Sequence, residues 1–466
     1  MKSARILSVV SGFLAGGLVA YHAAAGVTLT TLVSFNSTNG SYPSGGLIQA
    51  NDGNFYGTTT FGGPGAPATN GTVFEMTPSG ALSNLFGFSF TNGAAPRAGL
   101  VQGADGSFYG TTYNGGTNNA GTLFQLGTNG SLTTLVHLSF AGNSGAYPIA
   151  GLIQGADGNF YGTAAIGGTN GGYGTIFELA TNGTFSSLHS FSGTNGGASP
   201  YAPLTRGSDG SFYGTTYGGG TNGYGAIFQL TTNGAFNVRY SFTGTNDGGN
   251  PYGGLVQGTD GNFYGTTFFG GTNGFGAVFR FATNGTLTPL VSFGNTNGAN
   301  PQAGLLPGAD GNFYGTTWSG GAYTNDTGVG YGTVFEVTTN GMLTTLVSFD
   351  STNGAFPEAG LVQGRDGNFY GTTSQGGTNG YGTVFRLSVA PPQPPHFVSV
   401  AATGGTLTLT WCATTGQVCQ MLYQTNLNQA AWNNLNNAIT ATNPTMTTMD
   451  TIGPDRQRFY RIVLVP

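Results

Sequence analysis

The residues able to do acid–base or nucleophilic chemistry are few, and most recur at a near-constant spacing. The 466-residue chain has 16 acidic residues. One Asp stands in each of seven near-identical segments, at Asp52, Asp105, Asp157, Asp209, Asp260, Asp310 and Asp366, with separations of 53, 52, 52, 51, 50 and 56 residues. Gly follows each of them. Asp before Gly is turn chemistry: the carboxylate bonds to nearby backbone and Gly supplies positive φ. A calcium loop would gather several carboxylate or amide ligands, whereas each segment offers one carboxylate. No metal and no cofactor is therefore expected. Glu75, Glu178 and Glu336 share one position in the segment that Gln125, Gln229, Arg280 and Arg386 fill elsewhere, the mark of a solvated strand face. Within the repeats, Asp247, Asp326, Asp350 and Glu358 remain, in longer connections of different segments. Glycoside hydrolysis needs two carboxyl groups flanking the scissile bond, and no spacing singles out a pair here. Of four histidines, His22 falls in the N-terminal leader, His137 and His189 in strands, and His396 beside a Pro-rich stretch. No nucleophile–base motif appears. No catalytic residue is assigned.

Binding chemistry has a better signal. Directly after the recurring Tyr-Gly-Thr-Thr, the copies read Thr60, Tyr113, Ala165, Tyr217, Phe268, Trp318 and Ser374. A position that alternates between aromatic and small while its neighbours stay fixed suits a rim that stacks on sugar rings or clamps a peptide. Packing between repeats is the competing explanation. Tyr113, Tyr217, Phe268 and Trp318 are the candidate ligand-binding residues, with Asp326 in an insertion at 322–330 of the sixth copy. The loop aromatics Tyr173, Tyr224, Phe275, Tyr331 and Tyr381 recur regularly and read as structural. Asn39, Asn129, Asn182 and Asn284 match a glycosylation sequon, but Asn-Gly is itself a turn signal.

The elements that must position these residues are short strands. Each copy runs through a Gly-Leu-Val-Gln type segment, Asp-Gly-Asn-Phe-Tyr-Gly-Thr-Thr, Gly-Gly, Gly-Thr-Val-Phe-Glu, Thr-Asn-Gly and Leu-Thr-Thr-Leu-Val-Ser-Phe. In the fifth copy this predicts strands at 254–257, 262–267, 276–281 and 286–293. Asp-Gly and Asn-Gly suit two-residue type I′ turns. Four antiparallel strands per unit of this length are the signature of a β-propeller blade, with a β-solenoid as the runner-up. The expected fold is all-β: a seven-bladed propeller over residues 27–388, then a small β-sandwich. The repeats end after a third strand at 382–387, and the mature chain begins with a lone strand at 28–35. Pairing the two would close the ring and remove its open edges. In such a blade the variable loops collect on one face and the tight turns on the other.

Double glycines follow the second strand of every copy, from Gly62-Gly63 to Gly376-Gly377, resembling the kelch repeat. The unit as a whole resembles the GloVer tandem repeat of exported bacterial proteins over about 27–388. That resemblance implies export and a propeller-like array, and it implies no activity. The N-terminus fits it. Lys2 and Arg5 precede an apolar run ending at Tyr21, and Ala23-Ala24-Ala25 supplies a small-residue cleavage site. Residues 1–25 read as a secretory signal peptide, a membrane anchor being the alternative. No membrane span is expected in the mature chain, which is placed outside the cell or at its surface as a monomer. A formal charge of −5, with charged residues only 6% of the chain, argues against nucleic acid. A polysaccharide or a surface protein is the expected partner. A polysaccharide hydrolase or lyase, or a purely structural matrix component, are the alternatives.

Residues 389–396 are a Pro-rich linker, and 397–466 resemble a fibronectin III or immunoglobulin-like sandwich with Trp411 and Tyr460 as core aromatics. Both cysteines lie there. A loop at 414–417 would place Cys412 and Cys419 opposite each other on paired strands, and an exported protein favours a disulfide between them; two free buried thiols are the alternative.

Overall fold

The structure is a computed structural model, and it describes residues 26–63, 70–231, 234–389, 395–403, 406–413, 418–425, 431–442, 445–451 and 458–465. The expected signal peptide and most of the expected linker lie outside them. Among the described residues every regular element is a strand. Among those residues no helix is long and apolar enough to cross a membrane. The chain divides into two compact units, Met1–Ser388 and Val389–Pro466.

The first unit consists of seven four-stranded antiparallel sheets, six of them formed by strands consecutive in the chain. The first sheet is typical: Ile48–Gln49, Phe55–Thr59, Thr72–Met76 and Leu82–Gly87 lie side by side in that order. The sheets are numbered here as blades one to seven. Blade seven takes Val362–Gln363, Phe369–Thr373 and Thr383–Val389 from the end of the repeats, and its fourth place is filled by the N-terminal strand Val27–Ser34.

Each turn differs from the expected type in one respect. Gly53 has φ 90° but Asp52 is absent from the residues with positive φ. Gly53 N–H donates to Ala50 O at 3.0 Å, and Ala50 N–H to Asn54 O at 2.9 Å. This is a type I turn closed by a left-handed Gly, the three-residue hairpin, in place of type I′. The reason is the Asp side chain. Its Oδ1 accepts the N–H two residues on, and its Oδ2 accepts the hydroxyl of the Tyr four residues on, at 2.6 to 3.0 Å in all seven blades. The repeated carboxylates are thus committed to their own hairpins.

The same Tyr carries the packing between blades. Its ring meets the Phe that precedes the equivalent Tyr of the next blade: Tyr56 with Phe108, Tyr109 with Phe160, and so on, at centroid distances of 4.1 to 4.4 Å. The seventh contact, Tyr370 with Phe55 at 4.1 Å, returns to blade one. The first Thr of each Thr-Thr donates its hydroxyl to a backbone carbonyl of the next blade, from Thr58 to Ala98 O at 2.9 Å through Thr372 to Gly45 O at 3.3 Å. Between blades seven and one lies a buried cluster of Val33, Phe35, Leu47, Phe55, Phe74, Met76, Tyr370 and Val384. Gly in the Phe-Tyr-Gly core is required by close approach: a Cβ on Gly265 would lie 2.6 Å from the Phe279 ring.

The hairpin carboxylates predict an acid limit to stability. Burial pushes Asp105, Asp157, Asp209, Asp260 and Asp366 up, but hydrogen bonds from the Tyr hydroxyl and the turn outweigh it and hold each below the usual carboxylate range. A depressed folded pKa stabilises above the unfolded value, near 4, and that stability is lost as pH falls through the folded value. Melting temperature should therefore hold to about pH 5 and decline below about pH 4. The decline should be shallower in Asp260→Asn and Asp366→Asn. Equal acid sensitivity in variants and parent would contradict this origin.

The second unit has two sheets. His396–Thr403, Thr406–Cys412 and Thr445–Thr451 form one. Val418–Gln424 pairs with Asn433–Asn434, Ile439–Thr440 and Phe459–Leu464 in the other. Trp411 is buried between them with Leu409, Cys419 and Met421, and half-buried Tyr460 packs on this cluster. The expected disulfide is corrected here. Cys412 ends a strand of the first sheet and Cys419 lies in the second, so they do not face each other on paired strands, and both are free thiols. Cys412 Sγ instead sits 3.7 Å from Thr445 Oγ1.

Candidate functional site

The inner strand of each blade is entered through a proline, and the residue before it has an unusual backbone. Tyr42, Ala95, Tyr147, Ser199, Asn250, Asn300 and Phe356 all have φ between 53 and 57°. Left-handed backbone is costly for residues other than Gly, and a following Pro disfavours helical backbone further. Two backbone hydrogen bonds hold each of them. Asn250 N–H donates to Tyr224 O of the preceding blade at 2.7 Å, and Asn250 O accepts from Phe268 N–H at 3.2 Å. The pattern repeats in all seven blades.

This bend delivers the residue after the proline to a central cavity of about 390 Å³, lined by all seven blades. The seven residues are Ser44, Arg97, Ile149, Tyr201, Tyr252, Gln302 and Glu358, each half-buried. Below them the wall is Ala, Gly and Leu. A Cβ on Gly99 would lie 2.8 Å from Gly46 O, and one on Gly304 2.7 Å from Gly254 O, so backbone itself forms part of the wall. The residues after the prolines and those after Thr-Thr stand at the same end of antiparallel neighbours, opposite the Asp-Gly turns.

Tyr252 is the electrostatic centre of the mouth. Burial pushes its hydroxyl up to about 12, the charge of Glu358 adds to the rise, and Arg97 opposes it. Groups from blades five, seven and two thus act on one another across the opening. Tyr201 and Tyr252 rings lie 5.1 Å apart.

The four aromatic candidates are all half-buried and fall into two kinds. Tyr217 and Phe268 join the mouth. Tyr217 is 5.1 Å from Tyr201 and 6.0 Å from Tyr252, and Phe268 is 6.3 Å from Tyr252. Tyr113 and Trp318 instead meet the left-handed residue of the next blade. Tyr113 stacks on Tyr147 at 4.6 Å, and Trp318 lies 5.2 Å from Phe356. Tyr113 is tied back to the mouth by Arg97, whose guanidinium sits 4.3 Å above its ring. Asp326 is exposed in a loop pinned by Asn325, away from the residues that line the cavity. Asp247 is buried and accepts from Tyr240 and from Thr243, and Asp350 accepts from the backbone of Thr352 and Asn353. Neither of them lines the cavity.

Two features escaped the sequence reading. The residue after the proline went unnoticed because its seven forms, Ser, Arg, Ile, Tyr, Tyr, Gln and Glu, share no chemistry; the recurring proline itself was the signal. Four of the five loop aromatics read as structural are also open to solvent, while Tyr331 is half-buried near Phe356. Tyr173, Tyr224, Phe275 and Tyr381 are 44, 45, 37 and 39% exposed. Tyr173 and Tyr224 lie against Gly193 and Gly244, where an added Cβ would meet their rings at 2.7 Å.

Residues 64–258 and 244–434 match the Gloeobacter/Verrucomicrobia repeat. Together these cover well over half of the chain. The chain belongs to the Gloeobacter/Verrucomicrobia repeat family. No curated protein sequence matches this family member. Among solved structures, it is similar to a Bacteroides fragilis protein assigned as a 6-phosphogluconolactonase, with 16% identity and TM-score 0.45 over 82% of this chain and 95% of that one. An α-L-arabinanase of Penicillium chrysogenum, complexed with arabinobiose, matches with 14% identity and TM-score 0.41 over 78% and 99%. The GH74 xyloglucanase of Xanthomonas campestris matches with 12% identity and TM-score 0.40 over 83% and 59%. Likenesses this distant bear on neither the substrate nor the mechanism of this Gloeobacter/Verrucomicrobia repeat protein.

Proposed function

We propose that this protein is an exported, non-catalytic binding module for a polysaccharide at or outside the cell surface. The observation that carries this reading is the aromatic wall at the mouth of the central cavity, where Tyr201, Tyr217 and Tyr252 lie within 5.1 to 6.0 Å of one another. Concave sites with aromatic walls and a few convergent polar groups are the usual form of small-ligand sites. The N-terminal leader pattern supports export. Among the described residues lining the cavity, Glu358 is the one carboxylate, while the common glycosidase mechanisms use a pair. That favours holding a sugar over cleaving it.

The test is a glycan array probed with the full mature chain, with reducing ends assayed on every ligand that binds. Retention of at least one polysaccharide without release of reducing ends is expected. Release that disappears in Glu358→Gln would replace this reading with a hydrolase. Absence of binding to every saccharide would leave a structural surface component.

A further inference from the structure

We propose that the cavity mouth takes the terminal residue of an uncharged saccharide, held between Tyr201 and Tyr252 on one side and an arc of Glu358, Ser44 and Arg97 on the other. This specifies the ligand of the site just described and rests on that reading.

The order of the blades sets the two sides. Glu358, Ser44 and Arg97 enter blades seven, one and two, which touch in succession through Tyr370–Phe55 and Tyr56–Phe108. Tyr201 and Tyr252 enter blades four and five, joined through Tyr213–Phe263. All five residues line one cavity, so the aromatic pair faces the polar arc. The Tyr252 hydroxyl is pushed up first by burial and then by Glu358, with Arg97 opposing, in keeping with all three lining one cavity.

The two sides match the two surfaces of a pyranose or furanose. Its C–H face is apolar and stacks on Tyr rings. Its hydroxyls donate to a carboxylate and accept from a guanidinium, and Glu358 and Arg97 supply one of each. Hydroxyls of one sugar ring can then find both an acceptor and a donor in the arc. Charge excludes other sugars. Arg97 and Glu358 leave the arc with no net charge, so a carboxylate that reached Arg97 would also meet Glu358, and an ammonium that reached Glu358 would also meet Arg97; in a partly desolvated mouth the like charges are costly. Size favours an end over a run of chain. At about 390 Å³ the cavity sits near the small end of the range for small-molecule sites.

Titration calorimetry on the full mature chain tests this with maltotetraose, cellotetraose and xylotetraose as neutral probes, trigalacturonate as the acidic probe and a chitosan tetramer as the basic one. Binding is expected for at least one neutral probe and for neither charged one. Tyr252→Ala should weaken the neutral probe at least about tenfold, the loss of one anchoring aromatic. Glu358→Gln should weaken it several-fold and make trigalacturonate bind more tightly than it does to the parent. Arg97→Gln should do the same for the chitosan tetramer. These gains cannot come from misfolding, so they separate the proposal from general damage. Neutral binding that survives both Tyr252→Ala and Glu358→Gln, or a parent that prefers a charged probe, would overturn this site while leaving the protein a saccharide binder. Silence toward every saccharide would overturn both readings.

Discussion

Removal of residues 27–35 is expected to abolish the single cooperative unfolding transition of the first unit and to drive the protein into aggregates. Strand Val27–Ser34 fills the outer place of blade seven, beside Thr383–Val389. Phe35 N–H continues the contact to Gly382 O at 2.9 Å. The deletion bares the edge of a strand with its hydrogen-bonding groups unpaired, a template for association with another chain. It also removes Val33 and Phe35 from the cluster between blades seven and one, where Phe35 is fully buried and meets Phe74 edge-on at 5.4 Å. Loss of one such Phe costs about 3–5 kcal/mol by itself, comparable to the whole stability of many domains. Calorimetry and size exclusion read the outcome. A synthetic peptide of residues 27–35, added in trans, should restore part of the transition. A truncated chain with unchanged melting and monomeric elution would show that the strand does not hold the array together.

That strand was legible in the sequence because the repeat has a fixed phase. A copy that stops after its third strand, and a chain that starts with an unmatched fourth one, can be paired on paper. The blades were legible for the same reason, since Asp-Gly and Asn-Gly mark hairpins wherever they recur. The turn type was not. Dipeptide preference points to type I′, but the Asp carboxylate reaches both the turn amide and the Tyr hydroxyl four residues on, as at Asp260 with Asn262 and Tyr264, and the Asp keeps negative φ. The cysteines misled because six residues lie between them, which suits a hairpin equally well as a crossover between sheets. The cavity mouth was the largest omission. Arg97, Tyr201, Tyr252 and Glu358 have no common chemistry, so no motif joins them. They come together only because a left-handed residue and a proline place the next side chain of every blade on one axis.

Alanine substitution separates the aromatics that hold the blades together from those at the mouth. Tyr264 is fully buried, packs on Phe313 at 4.2 Å and donates to Asp260 at 2.8 Å. Its replacement removes a ring contact, a hydrogen bond and the cover of Val278 and Phe335 in one cluster. A loss of about 3–5 kcal/mol is expected for Tyr264→Ala. The half-buried Tyr217 and Trp318 stand at the opposite end of the strands. Their rings pack on Tyr201 or Phe356 and stay partly accessible. Tyr217→Ala and Trp318→Ala should therefore cost roughly 1 kcal/mol of stability or less. Tyr217, which touches both Tyr201 and Tyr252, should lose about 1–3 kcal/mol of saccharide binding. Trp318, whose neighbour is Phe356, should lose less. Chemical denaturation of the three variants decides the matter before any ligand is known. A loss as large as that of Tyr264→Ala at Tyr217 would mean that this ring is a wedge between blades, and the aromatic wall would no longer be a surface for a sugar to meet.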